Sequence, residues 1–448
     1  MLTLTILDHN FCHLSEITTP LKQLLSYQNR IFNSRSKKWV ATTHSLIDFA
    51  NSTTYTGLVS YIQDNISATQ VIDQRNFPST DFQVPELSID LREYQIDYLS
   101  TALSERRMII HSTGGSGKTA IMAALISALR SLKALIIAPG KSVMAQLMVE
   151  LPELIPGLDL GQLAGGLDHQ CIIGLAGSLK NLPVDELRKF KVLLVDEAHS
   201  CAAQQAHDVI MSVNAAYRFG FTATPTGRSD GADLVVQGLL GAIVELVDRK
   251  TLVSDGYIAH TNVNFYRGSW EGNYPVMEDL LIVNNPLRNA LIKKVVDNSR
   301  ANSVLILLRR IEHGKILQEI FGKKSIFISG DSKTELREEA RQDIKNGKYK
   351  ILIASKVLSA GIDIPSLEMG FYVGGGKSII ETNQSSYRVS RPWHEMAKTW
   401  NDLWDSYCPV LEEHSKLRFD EYKKQGLPMQ FIGFPPGMQR QLEKERDK

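Results

Sequence analysis

The chain has little cysteine: four in 448 residues, Cys12, Cys171, Cys201 and Cys408, none of them in a Cys-x-x-Cys pair. Such sparse use excludes a disulfide framework and the usual zinc spacings, and fits four structural thiols in a reducing compartment. A long apolar run is also missing. The longest, Ala120 to Leu129 with Ser127 inside it, is about half of what a membrane helix needs. No charged stretch followed by an apolar one opens the sequence, so the chain is expected to be soluble, unexported and cytoplasmic, with no membrane partner. Charge of one sign is absent too. Lys and Arg number 50 against 49 Asp and Glu, a formal charge of +1, so no global field draws a polyanion and any nucleic-acid footprint must be local. No internal repeat is visible.

What is present is chemistry for a phosphate. In Ser112-Thr113-Gly114-Gly115-Ser116-Gly117-Lys118-Thr119 the glycines let main-chain N–H groups converge, Lys118 adds a cation, and the Thr119 hydroxyl can enter a Mg²⁺ shell. Ser112 stands where the strict pattern has glycine. The apolar run Met108-Ile109-Ile110 before the loop reads as a buried strand and Thr119 to Leu129 after it as a helix, the order such a loop requires. Farther on, Val192-Leu193-Leu194-Val195 would deliver Asp196-Glu197-Ala198-His199 at the carboxyl end of a parallel strand, where α/β sheets bind ligands. Asp196 would hold Mg²⁺ and Glu197 would orient or deprotonate a water. Gln384-Ser385-Ser386-Tyr387-Arg388-Val389-Ser390-Arg391 brings arginines for the charge that builds on a γ-phosphate. The three segments together read as an ATP motor driven by nucleic acid.

The expected organisation is α/β: two tandem RecA-like parallel-sheet domains behind a small α+β amino-terminal module. Residues 1–86 hold no motor motif. There, Leu2 to Leu7 alternates as a strand does, while Leu46 to Ile66 carries apolar residues at helical spacing. Arg35-Ser36-Lys37-Lys38-Trp39 sets cations beside an aromatic, suited to phosphates and a base face or, equally, to a solvated loop. Residues 87–256 alternate apolar runs with helical segments, the runs being Met108 to Ile110, Ala134 to Ala138, Cys171 to Leu175, Val192 to Val195 and Arg218 to Phe221. Residues 257–448 repeat the scheme with Val263 to Tyr266, Val304 to Leu308, Ser325 to Ile328, Ile351 to Ala354 and Met369 to Val373, and a helix over Lys333 to Asn346. This second set has no phosphate loop, so it would close on a nucleotide held by the first. The charged tail after Gly437 is expected to fray.

The order of motifs over residues 90–395 resembles superfamily 2 helicases and translocases. The resemblance implies that in Leu91-Arg92-Glu93-Tyr94-Gln95 the Gln95 amide reads adenine with Arg92 nearby. It implies strand contacts from Pro139, Lys141 and Ser142, and coupling of the carboxylate motif to the second domain through His199, Thr222 and Thr224 of Phe221-Thr222-Ala223-Thr224-Pro225. Arg309 stands where the fourth motif begins. Ser355 and Lys356 begin the fifth, in which Gly361 and Asp363 approach the nucleotide. By position in the sixth, Arg391 is the arginine finger, Arg388 a second phosphate contact and Gln384 a partner for the water or the strand. Tyr387 replaces the family's glycine.

Thr54-Tyr55-Thr56-Gly57-Leu58-Val59, Thr224 to Gly231 and His414-Ser415-Lys416-Leu417-Arg418 are further similar to bacteriophage branch-migration helicases of the UvsW type, which act on forked and four-way DNA as RecG does. The likeness implies a monomer in the host cytoplasm that uses ATP and Mg²⁺ on branched DNA without sequence specificity, in phage replication, recombination or repair. A duplex-DNA translocase subunit of a larger machine and an RNA helicase are the alternatives. The strand-separating element could lie in the amino-terminal module, in Ser269 to Met277 with Trp270 and Tyr274, or in Trp393 to Trp404.

Overall fold

The apolar runs that carry the motor motifs are strands buried on both faces, and they belong to two parallel sheets. The structure is a computed structural model and describes residues 1–33, 38–80, 82–226, 228, 230–268, 279–355, 366–376, 398–406 and 408–447. By its contacts the chain divides into two units, Met1–Ser112 with Gly117–Val247, and Thr113–Ser116 with Asp248–Lys448.

The amino-terminal part folds as β1 (Leu2–Ile6), β2 (Phe11–Leu14), β3 (Ser26–Asn33), β4 (Lys38–Ser45), β5 (Thr53–Tyr55) and β6 (Thr69–Asp73). Four of these make a sheet in the order β5-β2-β1-β6, and β3 and β4 form a separate antiparallel ribbon. Leu2, Leu4 and Ile6 point inward from β1 as the alternation predicts. The helix expected over Leu46 to Ile66 is corrected: Thr53–Tyr55 pairs with Phe11–His13, a 3₁₀ turn covers Thr56–Leu58, and helix proper spans only Val59–Asn65. The β-branched pair Thr53-Thr54 prefers the pleated backbone, and that preference overrides the helical spacing of the apolar residues.

Next in sequence come β7 (Arg107–His111), β8 (Ala134–Ala138), β9 (Leu160–Gln162), β10 (Cys171–Leu175), β11 (Val192–Asp196), β12 (Tyr217–Thr222) and β13 (Ile243–Val244). They form one parallel sheet in the order β13-β7-β12-β11-β8-β10-β9. The amino-terminal sheet does not stand apart from it. Leu4, Leu14 and Leu58 lie in the same buried apolar cluster as Ile109, Val236 and Leu239. A Cβ on Gly57 would come within 2.3 Å of the Gln237 carbonyl oxygen, so only glycine allows the turn to press onto the helix Asp233–Leu240.

The other unit holds β14 (Thr261–Gly268), β15 (Val304–Leu308), β16 (Ser325–Ile328), β17 (Ile351–Ser355), β18 (Met369–Tyr372), β19 (Lys398–Asp405) and β20 (Met429–Ile432). Their order is β16-β17-β15-β18-β19-β14-β20, again all parallel. Two expectations change here. Trp400 and Trp404, in a stretch considered for strand separation, are buried on β19 inside the sheet, and Ser269 to Met277 lies outside the described residues. The charged tail does not fray either: Pro436–Arg446 is a helix with Leu442 buried, and Arg446 donates to the Met429 carbonyl at 2.9 Å.

Candidate active site

Strand β7 hands over to the phosphate loop at Ser112, whose N–H still donates to the Thr222 carbonyl at 3.0 Å. Gly115 and Gly117 have φ of +89° and +80°, left-handed values that favour glycine. The helix Lys118–Ala128 begins directly behind them, so its free N–H groups face the loop. Ser116 Oγ donates to the Thr113 carbonyl at 2.7 Å. The Thr113 hydroxyl is buried and has no partner among the described residues, as expected of a group reserved for a phosphate oxygen.

Gln95 is buried in the first turn of the helix Glu93–Glu105, and its Oε1 accepts from the Arg92 N–H at 2.9 Å. Its Nε2 lies where a Cβ on Gly117 would fall, 2.4 Å from that position. The side chain read as adenine-recognising therefore caps its own helix and lies against Gly117. Arg92 donates to the Tyr94 hydroxyl at 2.9 Å.

Strand β11 ends at Asp196, and Glu197 turns the chain sharply with φ +49° into the 3₁₀ turn Ala198–Ser200. Lys118 Nζ lies 3.9 Å from Glu197 Oε1. Burial, then the neighbouring Glu197 charge, raises the Asp196 carboxyl to about 6, with Lys118 acting in the opposite direction. His199 Nδ1 sits 3.4 Å from Glu197 Oε2, 3.1 Å from the Thr222 hydroxyl and 3.5 Å from the Thr224 hydroxyl. Burial pushes its pKa down while Glu197 works against that shift. Thr222 Oγ1 also accepts from the Thr224 N–H at 3.1 Å. Lys118, Asp196, Glu197, His199, Thr222 and Thr224 thus form one contact chain at the carboxyl end of the first sheet, where parallel sheets bind ligands.

Arg228 was not among the residues selected from the sequence. It donates through Nη1 to the His199 carbonyl and grips Asp230 at 2.9 and 2.5 Å, locking the backbone behind the histidine. Its only sequence signal is the Thr224 to Gly231 resemblance.

Pro139, Lys141 and Ser142 lie exposed after β8 and Arg309 exposed after β15, while Ser355 is buried at the end of β17. The Thr222 hydroxyl is fully buried against His199, which leaves it no path to a nucleic-acid strand. Arg35, Lys37, Lys356, Gly361, Asp363, Gln384, Tyr387, Arg388 and Arg391 lie outside the described residues, and Lys38 opens β4 with its side chain outside them.

Residues 88–227 match the family described as "Type III restriction enzyme, res subunit" and residues 287–392 the "Helicase conserved C-terminal domain". The two matched domains stand in the order of the two sheets. The chain is a superfamily 2 helicase. It is 25% identical to "Putative helicase 22" of a Sulfolobus islandicus filamentous virus, over 93% of this chain and 82% of that protein. Similarity to the "DNA 3'-5' translocase XPB2" of Sulfurisphaera tokodaii is 26% over 68% of this chain and 79% of that one. With a "Putative DNA 3'-5' helicase Rad25" of Haloarcula marismortui it is 24% over 72%, and the helicase spans only 54% of that relative. Among solved structures, a single-substitution variant of S. cerevisiae Dbp5 bound to RNA and ADP BeF3 shares the fold at a TM-score of 0.57, 16% identity, and 79% and 95% coverage of the two chains. The type ISP restriction-modification enzyme LlaBIII bound to DNA gives 0.58 at 14% identity, covering 84% of this chain and 34% of that one. Both nucleic acids are therefore held by proteins of this fold. ATP-dependent helicase activity follows from the two domains.

Proposed function

We propose that the helicase is an ATP-driven motor that grips DNA by its backbone and remodels forks and four-way junctions, with residues 1–86 an accessory module and 87–256 and 257–448 the two motor domains. The observation that carries the motor is the contact chain from Lys118 through Glu197 and His199 to Thr222, which joins the phosphate site to the end of β12. The choice of DNA is supported by the names of the relatives from Sulfurisphaera and Haloarcula, and a viral setting by the filamentous-virus relative.

Lys118 and the loop N–H groups hold the phosphates, and Gln95 with Arg92 borders the adenine. Mg²⁺ fits the donor set: the Thr119 hydroxyl and the Asp196 carboxylate are the one or two protein oxygens that, with substrate phosphates, such a cation takes. Bound there, it would neutralise charge on the phosphate oxygens. Asp196 has to be ionised to serve. Glu197 accepts a proton from the attacking water as that water adds to the γ-phosphorus and the bond to the β–γ bridging oxygen breaks. Arg388 and Arg391 answer the charge that develops, and Gln384 orients the water or touches the strand. His199 then reports the emptied Glu197 environment to Thr222 and Thr224. Pro139, Lys141, Ser142, Arg309 and Lys356, with Arg35, Lys37 and Lys38, supply a grip on the sugar-phosphate backbone that carries no sequence information, while the buried Ser355 hydroxyl is out of a strand's reach. The helicase acts as a monomer in the host cytoplasm.

Comparing stimulation of ATP hydrolysis by forked DNA, linear duplex and single-stranded RNA tests the proposal. Forked DNA is expected to stimulate most. Equal stimulation by linear duplex favours a translocase subunit, and stimulation by RNA alone overturns the DNA reading.

A further inference from the structure

Past β18 the chain runs Val373-Gly374-Gly375-Gly376 and then enters the segment that carries Gln384, Arg388 and Arg391. Side chains from two helices hold three of these four carbonyls. Arg288, on Pro286–Asn298, donates Nη1 to the Val373 oxygen at 2.9 Å. His414 Nδ1 lies 3.0 Å from the Gly375 oxygen, and Arg418 Nη1 donates to the Gly376 oxygen at 2.7 Å, both from Pro409–Lys424. The Gly376 N–H donates to the Tyr372 hydroxyl at 3.2 Å, which closes the turn.

The two arginines are themselves fixed. Arg288 forks onto Asp405 at 3.1 and 3.2 Å, and Arg418 forks onto Asp402 at 2.9 Å through both Nε and Nη2. All four side chains are buried, at most 1% exposed. Burying such pairs adds little net stability compared with apolar packing of the same volume. Their yield is geometric: each carboxylate of β19 aims one guanidinium at the end of the neighbouring strand. Gly375 has a φ of +65°, a left-handed value that favours glycine at this turn.

We propose that Arg288, His414 and Arg418 are positioning residues for ATP hydrolysis, clamping the strand end from which the arginine-bearing segment departs. The inference rests on the reading of Arg391 as the group that meets the γ-phosphate, and it gives the His414 to Arg418 stretch a job that motif matching did not. Reacting groups misplaced by about 1 Å lose about 10²-fold in rate. A loosened clamp should therefore lower turnover and leave ATP binding, which belongs to the phosphate loop, intact.

The full-length chain with His414→Ala, His414→Asn, Arg418→Lys or Arg391→Ala tests this through ATP kcat and KM, fork-DNA affinity and thermal midpoint. His414→Asn restores a donor to the Gly375 oxygen, and Arg418→Lys keeps the charge for Asp402 while giving up the fork. Expected are a fall in kcat of about 10- to 100-fold for His414→Ala and Arg418→Lys, unchanged KM and DNA affinity, and recovery in His414→Asn. Arg391→Ala should lose about 10³-fold or more. An inactive Arg391→Ala beside clamp variants at the parent kcat overturns the clamp and leaves the arginine reading standing. Parent turnover in Arg391→Ala overturns that reading first. If His414→Asn is as slow as His414→Ala and both melt early, the residues are merely structural and the proposal fails.

Discussion

His199 Nδ1 lies 3.1 Å from the hydroxyl of Thr222, a link between the turn that follows β11 and the last residue of β12. Both residues are buried, so the contact is shielded from water. It brings the turn at Glu197, just past β11, into contact with Thr222 at the end of β12 and with Thr224 just beyond it.

Thr222→Val keeps the volume and deletes the hydroxyl. It should cost about 1–3 kcal/mol of stability, since His199 and the Thr224 N–H each lose a buried partner. Hydrolysis should persist while strands separated per ATP fall about 5- to 150-fold. Parallel ATPase and fork-unwinding assays measure the ratio.

The Asp196 carboxyl is raised from its ordinary 3.8 to about 6 by burial and by Glu197. A raised carboxyl means that the ionised form is penalised in the fold, so this stabilising contribution is full below pH 3.8 and disappears as pH rises through about 6. Asp196→Asn should therefore stabilise the nucleotide-free helicase at pH 8 by about 1–3 kcal/mol and abolish ATP hydrolysis. Thermal melts at pH 8 and pH 4 should show the gain shrinking at the lower value. In the parent, the Mg²⁺ needed for half-maximal hydrolysis should climb as pH drops below about 6.

Gly57→Ala places a methyl group against the Gln237 carbonyl. The overpacked joint should cost about 1–3 kcal/mol, seen as a lower melting midpoint and faster proteolysis between residues 74 and 90. An unchanged midpoint would show that the turn can retreat from the helix.

Burial pushes the Cys12, Cys171 and Cys201 thiols up to about 12, and all four cysteines are free and buried. A thiol reagent at pH 8 should label none in the native helicase and four after unfolding, counted by intact mass.

Legibility in the sequence followed the environment of each segment. Uninterrupted runs such as Val192 to Val195 and Val304 to Leu308 announced central strands, because a parallel sheet covered on both faces leaves no solvent side to mark with polar residues. Strand β19 was hidden for the opposite reason: Lys398, Asp402 and Asp405 look like an exposed stretch until Arg288 and Arg418 appear beside the two aspartates, more than a hundred positions away in one case and sixteen in the other. The phosphate loop and the carboxylate pair could be read because their chemistry sits within single short segments. Arg228 could not, since what it does depends on a backbone carbonyl at His199 that no local pattern announces. Thr53–Tyr55 misled because strand pairing outbid the helical spacing around it.

The shared apolar cluster that unites Leu4 and Leu58 with Ile109 and Leu239 makes the first eighty residues part of the engine's chassis. A shortened gene product starting at the motor motifs would present an oily flank to water and would be expected to clump before it could be assayed. Silence from such a fragment would say nothing about which nucleic acid the intact machine prefers.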